Sequence, residues 1–467
     1  MSVVLVLDIG TSKLCALALS TETAQPVAVR SCANDADVPG LPPGWHEQDP
    51  SRITANCYRL LKDVITEIGD CEVAGIGFSG QMHGVLLADS NRWPMTNLIT
   101  WRDQRTLQPV GEGSLAAARE RLDADAPRRA GCRLNAGYGG ATLHWMAAHD
   151  QLPAGARALT IADHTAASLT GVMSTEPTHA ASWGIMDAVS GQWDATSVRR
   201  LRIRESALPT IRPSGRPIGA ILPKAAARLG LPEGVPVCAP VGDNQASVIG
   251  AAGLGSDAAV VNLGTGGQVS VPCSQYTFLP DLETRPMPLG GYILVGASLC
   301  GGWAYAYLNR FFRDIAKQIG GHDLEEGETY RRMNDLAASA PWGCEGLTAD
   351  TRFSGTRGNP DIRGAFAGIS RENLTAANLT RAVAEGMVGE LADLGRRAGL
   401  RDLSRIVAGG NAVRKNPLAV KIIEKAFDLP CRLGPAGEEA ALGAAFCTAV
   451  GLGLLRPEDV CPGASGS

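Results

Sequence analysis

Two stretches of the sequence, 3–19 and 258–271, share one order of elements. Each begins with an apolar run rich in Val, continues through a glycine-containing turn (8–12 and 264–267), and ends in a second apolar run. Short β-branched runs separated by such turns predict paired strands. A chain that carries this hairpin twice is predicted to contain two related α/β halves.

Chain length supports two halves, because single hydrophobic cores stop growing at roughly 250–300 residues and this chain has 467. We place the domains at 1–245 and 246–467. Hydrophobic periodicity predicts further elements of two kinds. The strands are 25–30, 73–78, 235–241, 292–297 and 405–408, and the helices are 53–68, 302–319, 375–398, 417–427 and 438–450.

Charge, hydropathy and cysteine spacing make several classes of function unexpected for this chain. The formal net charge of -4 gives no broad basic surface, so no nucleic-acid partner is expected. The most apolar stretch, 246–264, is broken by glycines and Asp257, so no membrane segment is expected. The twelve cysteines contain no CxxC pair, and the N-terminus has no signal-peptide pattern. We expect a cytoplasmic protein, monomeric or homodimeric.

The first turn combines groups that suit a phosphate. Asp8 follows the first predicted strand, Gly10 lets backbone N–H groups approach an anion, and Thr11, Ser12 and Lys13 add hydroxyls and a cation. Carboxylate and phosphate oxygens are the ligands that Mg²⁺ prefers. The turn therefore predicts a nucleotide phosphate site with a metal ion.

This turn resembles that of the FGGY family of carbohydrate kinases, within the wider actin/Hsp70/sugar kinase superfamily. The resemblance implies an α/β fold of two related ribonuclease H-like domains flanking a cleft. It also implies ATP and Mg²⁺ as cofactors, with Asp8 at the metal and Gly10, Thr11, Ser12 and Lys13 at the nucleotide. One departure is Cys15, where many family members carry a basic residue.

Two further segments are similar to the sugar-contact segments of the family. They are Ser79-Gly80-Gln81-Met82-His83-Gly84 and Thr100-Trp101-Arg102-Asp103-Gln104-Arg105. A polyol needs several hydrogen-bonding groups and an apolar or aromatic wall. The substrate-binding residues implied here are Gln81, Met82, His83, Trp101 and Asp103. Taken alone, His83 is also compatible with a structural histidine that pairs locally.

The segment Gly242-Asp243-Asn244 follows the predicted strand 235–241 and is similar to the catalytic-base motif of the family. Asp243 is implied as the base that accepts the proton of the sugar hydroxyl, and Asn244 as a substrate contact. An ordinary helix N-cap is the competing interpretation for Asp243.

The second half contains two more matching segments. Gly264, Thr265 and Gly266 match the second phosphate turn of the family. Its adenosine segment is matched by Gly409, Gly410, Asn411 and Asn416. The resemblance extends from Asp8 to Gly443 with its motifs in the order of the family. Segment 437–443 alone is an acid-rich helix start, to which we assign no catalytic role.

The expected substrate is a small sugar. Segments 138–142, 181–184 and 296–302 resemble sedoheptulokinases, which implies sedoheptulose and phosphorylation of a terminal hydroxyl. Segment 242–244 resembles xylulokinases, so a five-carbon ketose stays open. A different class also stays open, because 8–16 resembles the opening of bacterial actin-like division proteins. Such ATPases would not need the segments at 79–84 and 100–105.

Overall fold

The computed structural model describes residues 1–108, 111–255, 257–356, 359, 361–400, 403–435 and 437–460. The earlier strands are β1 (Ser2–Ile9), β2 (Lys13–Ser20), β3 (Pro26–Ala33), β4 (Glu47–Gln48), β5 (Glu72–Gly80), β6 (Leu86–Ala88), β7 (Leu98–Ile99), β8 (Arg157–Leu159), β9 (Ser174–Thr175), β10 (Met186–Asp187), β11 (Gln192–Trp193), β12 (Thr210–Ile211), β13 (Pro217–Ala220), β14 (Pro236–Cys238) and β15 (Val241–Gly242). The later strands are β16 (Ala258–Leu263), β17 (Gly267–Cys273), β18 (Glu283–Pro286), β19 (Tyr292–Ser298), β20 (Thr348–Asp350), β21 (Ala365–Ala367), β22 (Arg405–Gly409) and β23 (Cys431–Leu433).

The described residues form α-helices on both sides of β16 along the chain. Those before β16 are α1 (Pro50–Ile68), α2 (Leu115–Arg121), α3 (Ala126–Ala130), α4 (Gly139–Ala148), α5 (Ile161–Thr170), α6 (Pro177–Ala181), α7 (Ala195–Arg200), α8 (Pro223–Leu229) and α9 (Asp243–Ala252). Those after it are α10 (Gly301–Gly320), α11 (Glu326–Ser339), α12 (Ala376–Arg397), α13 (Asn411–Arg414), α14 (Pro417–Phe427) and α15 (Glu439–Gly451).

The first sheet contains the N-terminal hairpin. Its strand order is β13-β14-β5-β1-β2-β3, and β15 also pairs with β5. Strands β1, β2 and β3 are antiparallel neighbours, whereas β5 is parallel to both β1 and β14. Strands β1 and β2 are buried along most of their length, as their unbroken apolar runs predict.

The second sheet repeats this arrangement. Its order is β18-β19-β17-β16-β22-β23. Strands β16, β17 and β19 are antiparallel neighbours, and β22 is parallel to both β16 and β23. The series β19-β17-β16-β22-β23 therefore corresponds to β3-β2-β1-β5-β14, which confirms the two related α/β halves predicted from the repeated hairpin.

The predicted strand 235–241 is shorter in the structure. It divides into β14 and β15, which pair with β5 one after the other. Pro240 lies in the break, and proline has no backbone N–H to donate to a ladder. Because β15 ends at Gly242, the chain enters α9 directly at the carboxyl end of the first sheet.

Residues between β5 and β13 form an additional layer beside the first sheet. It contains α2 to α7 and short strand pairs such as β6 with β8. A separate apolar cluster, which includes Leu143, Trp145 and Trp183, holds it together. This layer supplies one wall of the cavity described below.

Helices α9 and α15 cross at close range. A Cβ added to Gly443 would lie 1.8 Å from the carbonyl oxygen of Ala246, and one added to Gly250 would lie 1.9 Å from that of Glu439. Glycine is therefore required at both positions for the backbones to touch. None of the helices in the described part of the chain is both long and apolar enough to cross a lipid bilayer.

Candidate active site

A cavity of about 420 Å³ is lined by residues from both halves of the chain. Its lining residues are Asp8, Gly10, Thr11, Ser12, Lys13, Met82, His83, Trp101, Arg102, Asp243, Asn244, Gln268 and Arg285. The fold thus brings together the first glycine turn, the two segments after β5 and the start of α9. The second sheet adds Gln268 from β17 and Arg285 from β18.

The first glycine turn is tight and connected to the aromatic wall. The N–H of Gly10 donates to the carbonyl oxygen of Lys13 at 3.0 Å, and an added Cβ on Gly10 would lie 2.9 Å from that oxygen. The Thr11 hydroxyl accepts a hydrogen bond from Trp101 Nε1 at 2.8 Å. Trp101 is 47% exposed and lines the cavity.

Two of the predicted sugar contacts, Gln81 and Asp103, lie behind the cavity lining. Gln81 is buried, accepts from the Thr11 hydroxyl at 3.1 Å and donates to Gln48 at 2.9 Å. Asp103 is buried and accepts from the Arg105 guanidinium at 2.8 and 2.9 Å and from the His46 N–H at 2.8 Å. Both side chains are thus engaged in holding the segments that carry the lining residues.

His83 is held in an unusual backbone conformation. Its φ is 72°, a value that costs energy for a residue with a Cβ. Its Nδ1 lies 2.7 Å from the Ser182 carbonyl oxygen, and its ring stacks on Tyr138 at a centroid distance of 4.3 Å. A carbonyl can only accept, so Nδ1 carries the proton. The tautomer of the neutral ring is fixed by this contact.

The backbone before Asp243 is fixed by a buried carboxylate. The Gly242 N–H donates to Thr178 Oγ1 at 2.7 Å, and the Thr178 hydroxyl donates to Glu176, which is fully buried. The Ser214 hydroxyl also donates to Glu176. Gly242 is the N-cap residue of α9 and no side chain caps this helix, so Asp243 is its first residue and not its cap.

Burial changes the acidity of both carboxyls in the cavity. Burial, with a smaller contribution from the nearby charge of Asp8, raises the pKa of Asp243 to about 7. It also raises the pKa of Asp8 to about 6, with a contribution from the charge of Glu438. Two carboxyls with raised pKa values in one cavity are typical of functional sites.

Asp8 has the properties of a metal ligand. Its Oδ1 is buried and has no hydrogen-bond partner among the described residues. A buried carboxylate oxygen without a partner is unfavourable, and a cation satisfies it. In the same part of the chain, no cluster of three or more His, Cys, Asp or Glu could hold a metal unaided. Because Mg²⁺ is commonly held by one or two carboxylates together with phosphate oxygens, Asp8 fits this ion.

Asn244 is fixed from the second half of the chain. Its Oδ1 accepts from Arg285 Nη1 at 3.0 Å. Arg285 also forms an ion pair with Glu283 at 2.6 Å, and Glu283 accepts from the Tyr138 hydroxyl at 2.5 Å. The predicted catalytic-base motif is thereby connected to Tyr138, the ring that stacks on His83.

The second glycine turn lies against the start of α10. The Gly302 N–H donates to the Gly264 carbonyl at 2.9 Å, and the Trp303 N–H donates to that of Thr265 at 3.1 Å. A Cβ on Gly302 would lie 2.4 Å from the Gly264 oxygen. Gly264, Thr265 and Gly266 are not among the residues that line the cavity.

The predicted adenosine segment lies next to this turn. It follows β22, which is the parallel neighbour of β16, so both loops leave the same sheet edge. Gly410 has a φ of 91°, and an added Cβ would lie 2.4 Å from Asn262 Oδ1 and from the Leu263 carbonyl oxygen. Asn411 begins α13, and Asn416 caps α14 through a 3.1 Å bond from the Leu418 N–H.

The structure describes Cys15, where the first turn departs from the family, and Lys13, which lies two residues before it. Cys15 is buried inside an apolar cluster with β1, α9 and α15, and burial raises the pKa of its thiol. Lys13 is exposed and forms an ion pair with Glu438, the residue before α15. The terminal helix start thus contacts the first turn, a link that sequence reasoning did not assign.

Sequence reasoning also missed Gln268 and Arg285. A signal existed for Gln268, because it follows the second glycine turn directly, as Lys13 follows the first. Arg285 had none, because it lies on the short edge strand β18, whose pattern is too brief to predict. The position of Arg285 is defined only once this strand pairs with β19.

Comparison with known proteins identifies the domains. Residues 3–250 match the N-terminal domain of the FGGY family of carbohydrate kinases, and residues 259–452 match its C-terminal domain. Together these matches span most of the chain. They favour the carbohydrate kinases over the actin-like ATPases that the first turn also resembles.

Individual relatives act on different sugars. A xylulose kinase of Staphylococcus epidermidis is 27% identical, over 98% of this chain and 90% of that protein. A mouse sedoheptulokinase is 28% identical, over 95% and 96%. The crystal structure of a xylulose kinase from Rhodospirillum rubrum has a TM-score of 0.87 and 27% identity, over 98% and 92%. The predicted fold of the sugar kinase superfamily is thus confirmed, and this chain belongs to the FGGY family of carbohydrate kinases, which are phosphotransferases that use ATP.

Proposed function

We propose that this kinase phosphorylates the terminal hydroxyl of a ketose, with sedoheptulose as the substrate and xylulose or a related pentulose as the alternative. The observation that carries the choice is the contact between two sedoheptulokinase-like segments, 138–142 and 181–184. A Cβ on Gly139 would lie 2.5 Å from the Trp183 ring, and Ser182 and Tyr138 both contact His83. These two segments therefore hold His83, a proposed sugar contact, in its position.

In the proposed mechanism, Asp243 accepts the proton of the terminal hydroxyl. The sugar oxygen then bonds to the γ-phosphorus of ATP, the bond from that phosphorus to the β-phosphate oxygen breaks, and the products are a sugar phosphate and ADP. Met82, His83, Trp101 and Asn244 orient the sugar. Gln81 and Asp103 act on it through the segments that they hold in place.

The remaining roles are proposals that rest on the family resemblance and the geometry. Asp8 would hold Mg²⁺, which neutralises phosphate charge as the reaction proceeds. The phosphates would contact the first and second turns, through the sets Gly10, Thr11, Ser12, Lys13 and Gly264, Thr265, Gly266. Adenosine would contact Gly409, Gly410, Asn411 and Asn416. We also propose the domain division at 245/246, a cytoplasmic location and a monomeric or homodimeric state.

We expect the ratio kcat/KM to be highest for sedoheptulose in an ADP-release assay with ATP, Mg²⁺ and sedoheptulose, xylulose, ribulose or glycerol. Xylulose lacks two CHOH units, and a hydrogen bond contributes about 0.5–1.5 kcal/mol, so we expect a preference of roughly tenfold or more. A higher kcat/KM for xylulose would contradict the choice of sugar. ADP release that no sugar stimulates would contradict the ketose kinase function.

We expect kcat/KM for the accepted sugar to fall as the pH is lowered through about 7. Asp243 must be ionised to accept a proton, and its raised pKa of about 7 means that the base form is present above this pH and is lost below it. Protonation of Asp8 near pH 6 should steepen the fall. Initial rates between pH 5 and 9 would measure this, and a constant kcat/KM down to pH 5 would contradict the assignment.

A further inference from the structure

Arg285 is a buried cation at the edge of the cavity. It lies on β18, the edge strand of the second sheet, and is 7% exposed. Burying a guanidinium is costly unless its charge is paired and its N–H groups are bonded. The mechanism above gives this residue no role, although it lines the same cavity as Asp243.

The hydrogen bonds of Arg285 leave two donors unused. Nε and Nη2 donate to Glu283 at 3.1 and 2.6 Å, and Nη1 donates to Asn244 at 3.0 Å. These bonds use three of the five N–H groups of a guanidinium. Within the described residues, one N–H on Nη1 and one on Nη2 thus have no acceptor, and the residue lies at the cavity.

The contact with Arg285 also fixes the direction of the Asn244 amide. An amide oxygen accepts and an amide nitrogen donates, so the bond from Arg285 identifies the atom that faces it as Oδ1. The Nδ2 group forms no hydrogen bond with any described residue. Arg285 and Asn244 together therefore present hydrogen-bond donors to the cavity.

The charges around these donors favour a neutral acceptor. Glu283 pairs with Arg285, so the pair carries no net charge, and the other carboxyls in the cavity are Asp8 and Asp243. A carboxylate on the substrate would be repelled by these acids. A hydroxyl or carbonyl oxygen accepts the same hydrogen bonds without that repulsion.

We propose that Arg285 determines sugar specificity by donating to a neutral oxygen of the substrate on a carbon other than the one that is phosphorylated. Asn244, oriented by Arg285, donates to the same oxygen or its neighbour. The substrate class is a neutral polyhydroxy ketone, and an aldonate is disfavoured. This inference rests on the proposed function, because it takes the reacting hydroxyl to be at Asp243.

The test combines two variants with deoxy analogues of whichever sugar the wild-type enzyme phosphorylates, one analogue for each carbon that is not phosphorylated. Arg285→Met removes the donors, and Arg285→Lys keeps a cation beside Glu283 but loses the planar fork. We expect KM for the parent sugar to rise roughly 10- to 100-fold in both variants, because hydrogen bonds to charged groups are the strong ones. We expect kcat to change much less.

One deoxy analogue should show coupling. Its KM with the wild-type enzyme should be about as high as the KM of the parent sugar with the variants. The Arg285 substitutions should not raise the KM of this analogue further. Arg397→Met is the matched control, because Arg397 pairs with Asp281 at the surface of the same domain. This control variant should have the wild-type KM for the parent sugar and for every deoxy analogue.

The outcomes separate the two proposals. If the wild-type enzyme phosphorylates no sugar, the proposed function fails before any variant is tested. If it does so but each Arg285 variant weakens all analogues by one common factor, the inference about Arg285 is overturned and the function stands. Should Arg285→Met fail to fold, Arg285→Lys provides the same comparison.

Discussion

Replacing Asp243 by Asn should lower kcat by roughly 10²–10⁴-fold while sugar binding is largely kept. The amide has the shape of the carboxyl but cannot accept the hydroxyl proton, and positioned general bases contribute about this factor. The fold should tolerate the change, because no side chain caps α9 and Asp243 is partly accessible from the cavity. Steady-state ADP release gives kcat, and calorimetric titration with the accepted sugar gives Kd.

Asp163→Asn is the matched control for this variant. Burial raises the pKa of Asp163 to about 7 as well, but this residue caps α5 with Thr160 and does not line the cavity. If the loss of any buried carboxyl lowered kcat, both variants would therefore show the decrease. A kcat for Asp243→Asn near that of the wild-type enzyme would show that another group accepts the proton.

Much of the fold could be predicted from the sequence because its signals are local. The run 258–263 forms β16 as predicted, and helices 302–319 and 417–427 match α10 and α14 within a residue. Each depends on periodicity and on glycine or proline at its ends, which a single stretch of sequence contains. The repeated hairpin then predicted the two related α/β halves, whose strand orders the structure supplies.

The additional layer between β5 and β13 could not be predicted in the same way. Its strands have two or three residues each, which is below the length at which alternation becomes a signal. Residues such as Tyr138 and Ser182 could be singled out by resemblance. Their common contact with His83, at separations of more than fifty residues along the chain, is a property of the folded layer.

The candidate site also combines features that are local in the sequence with features that depend on the fold. Glycine turns and a carboxylate after a strand are local patterns, so Asp8, Gly10 and Asp243 could be singled out before the structure. The acceptors of a side chain are not local. Nothing in the sequence indicates that Arg105 donates hydrogen bonds to both carboxylate oxygens of Asp103. Nor does it indicate that Arg285 contacts Asn244 across the two domains.

Replacing Asp8 by Asn should have the second large effect, a fall in kcat of roughly 100-fold with a higher Mg²⁺ concentration for half-maximal rate. Its buried Oδ1 lacks a partner in the described part of the chain, and the neutral amide loses the charge that would hold a cation there. Thermal unfolding with a non-hydrolysable ATP analogue provides a readout apart from turnover. Mg²⁺ should raise the Tm of the wild-type complex more than that of the variant.

The same variant tests the electrostatic coupling between the two carboxyls. The Asp8 charge helps to raise the pKa of Asp243, so its removal should lower that pKa and move the fall in kcat/KM to more acidic pH. Measured with Mg²⁺–ATP well below its KM, this ratio reports the enzyme to which no metal–nucleotide complex is bound, so no cation offsets Asp8. An unchanged Mg²⁺ dependence would contradict the metal role, whereas an unmoved pH profile would show that the carboxyls do not interact. Because burial alone keeps the pKa of Asp243 above its usual range, the profile should move only part of the way from 7 toward the ordinary value of 3.8.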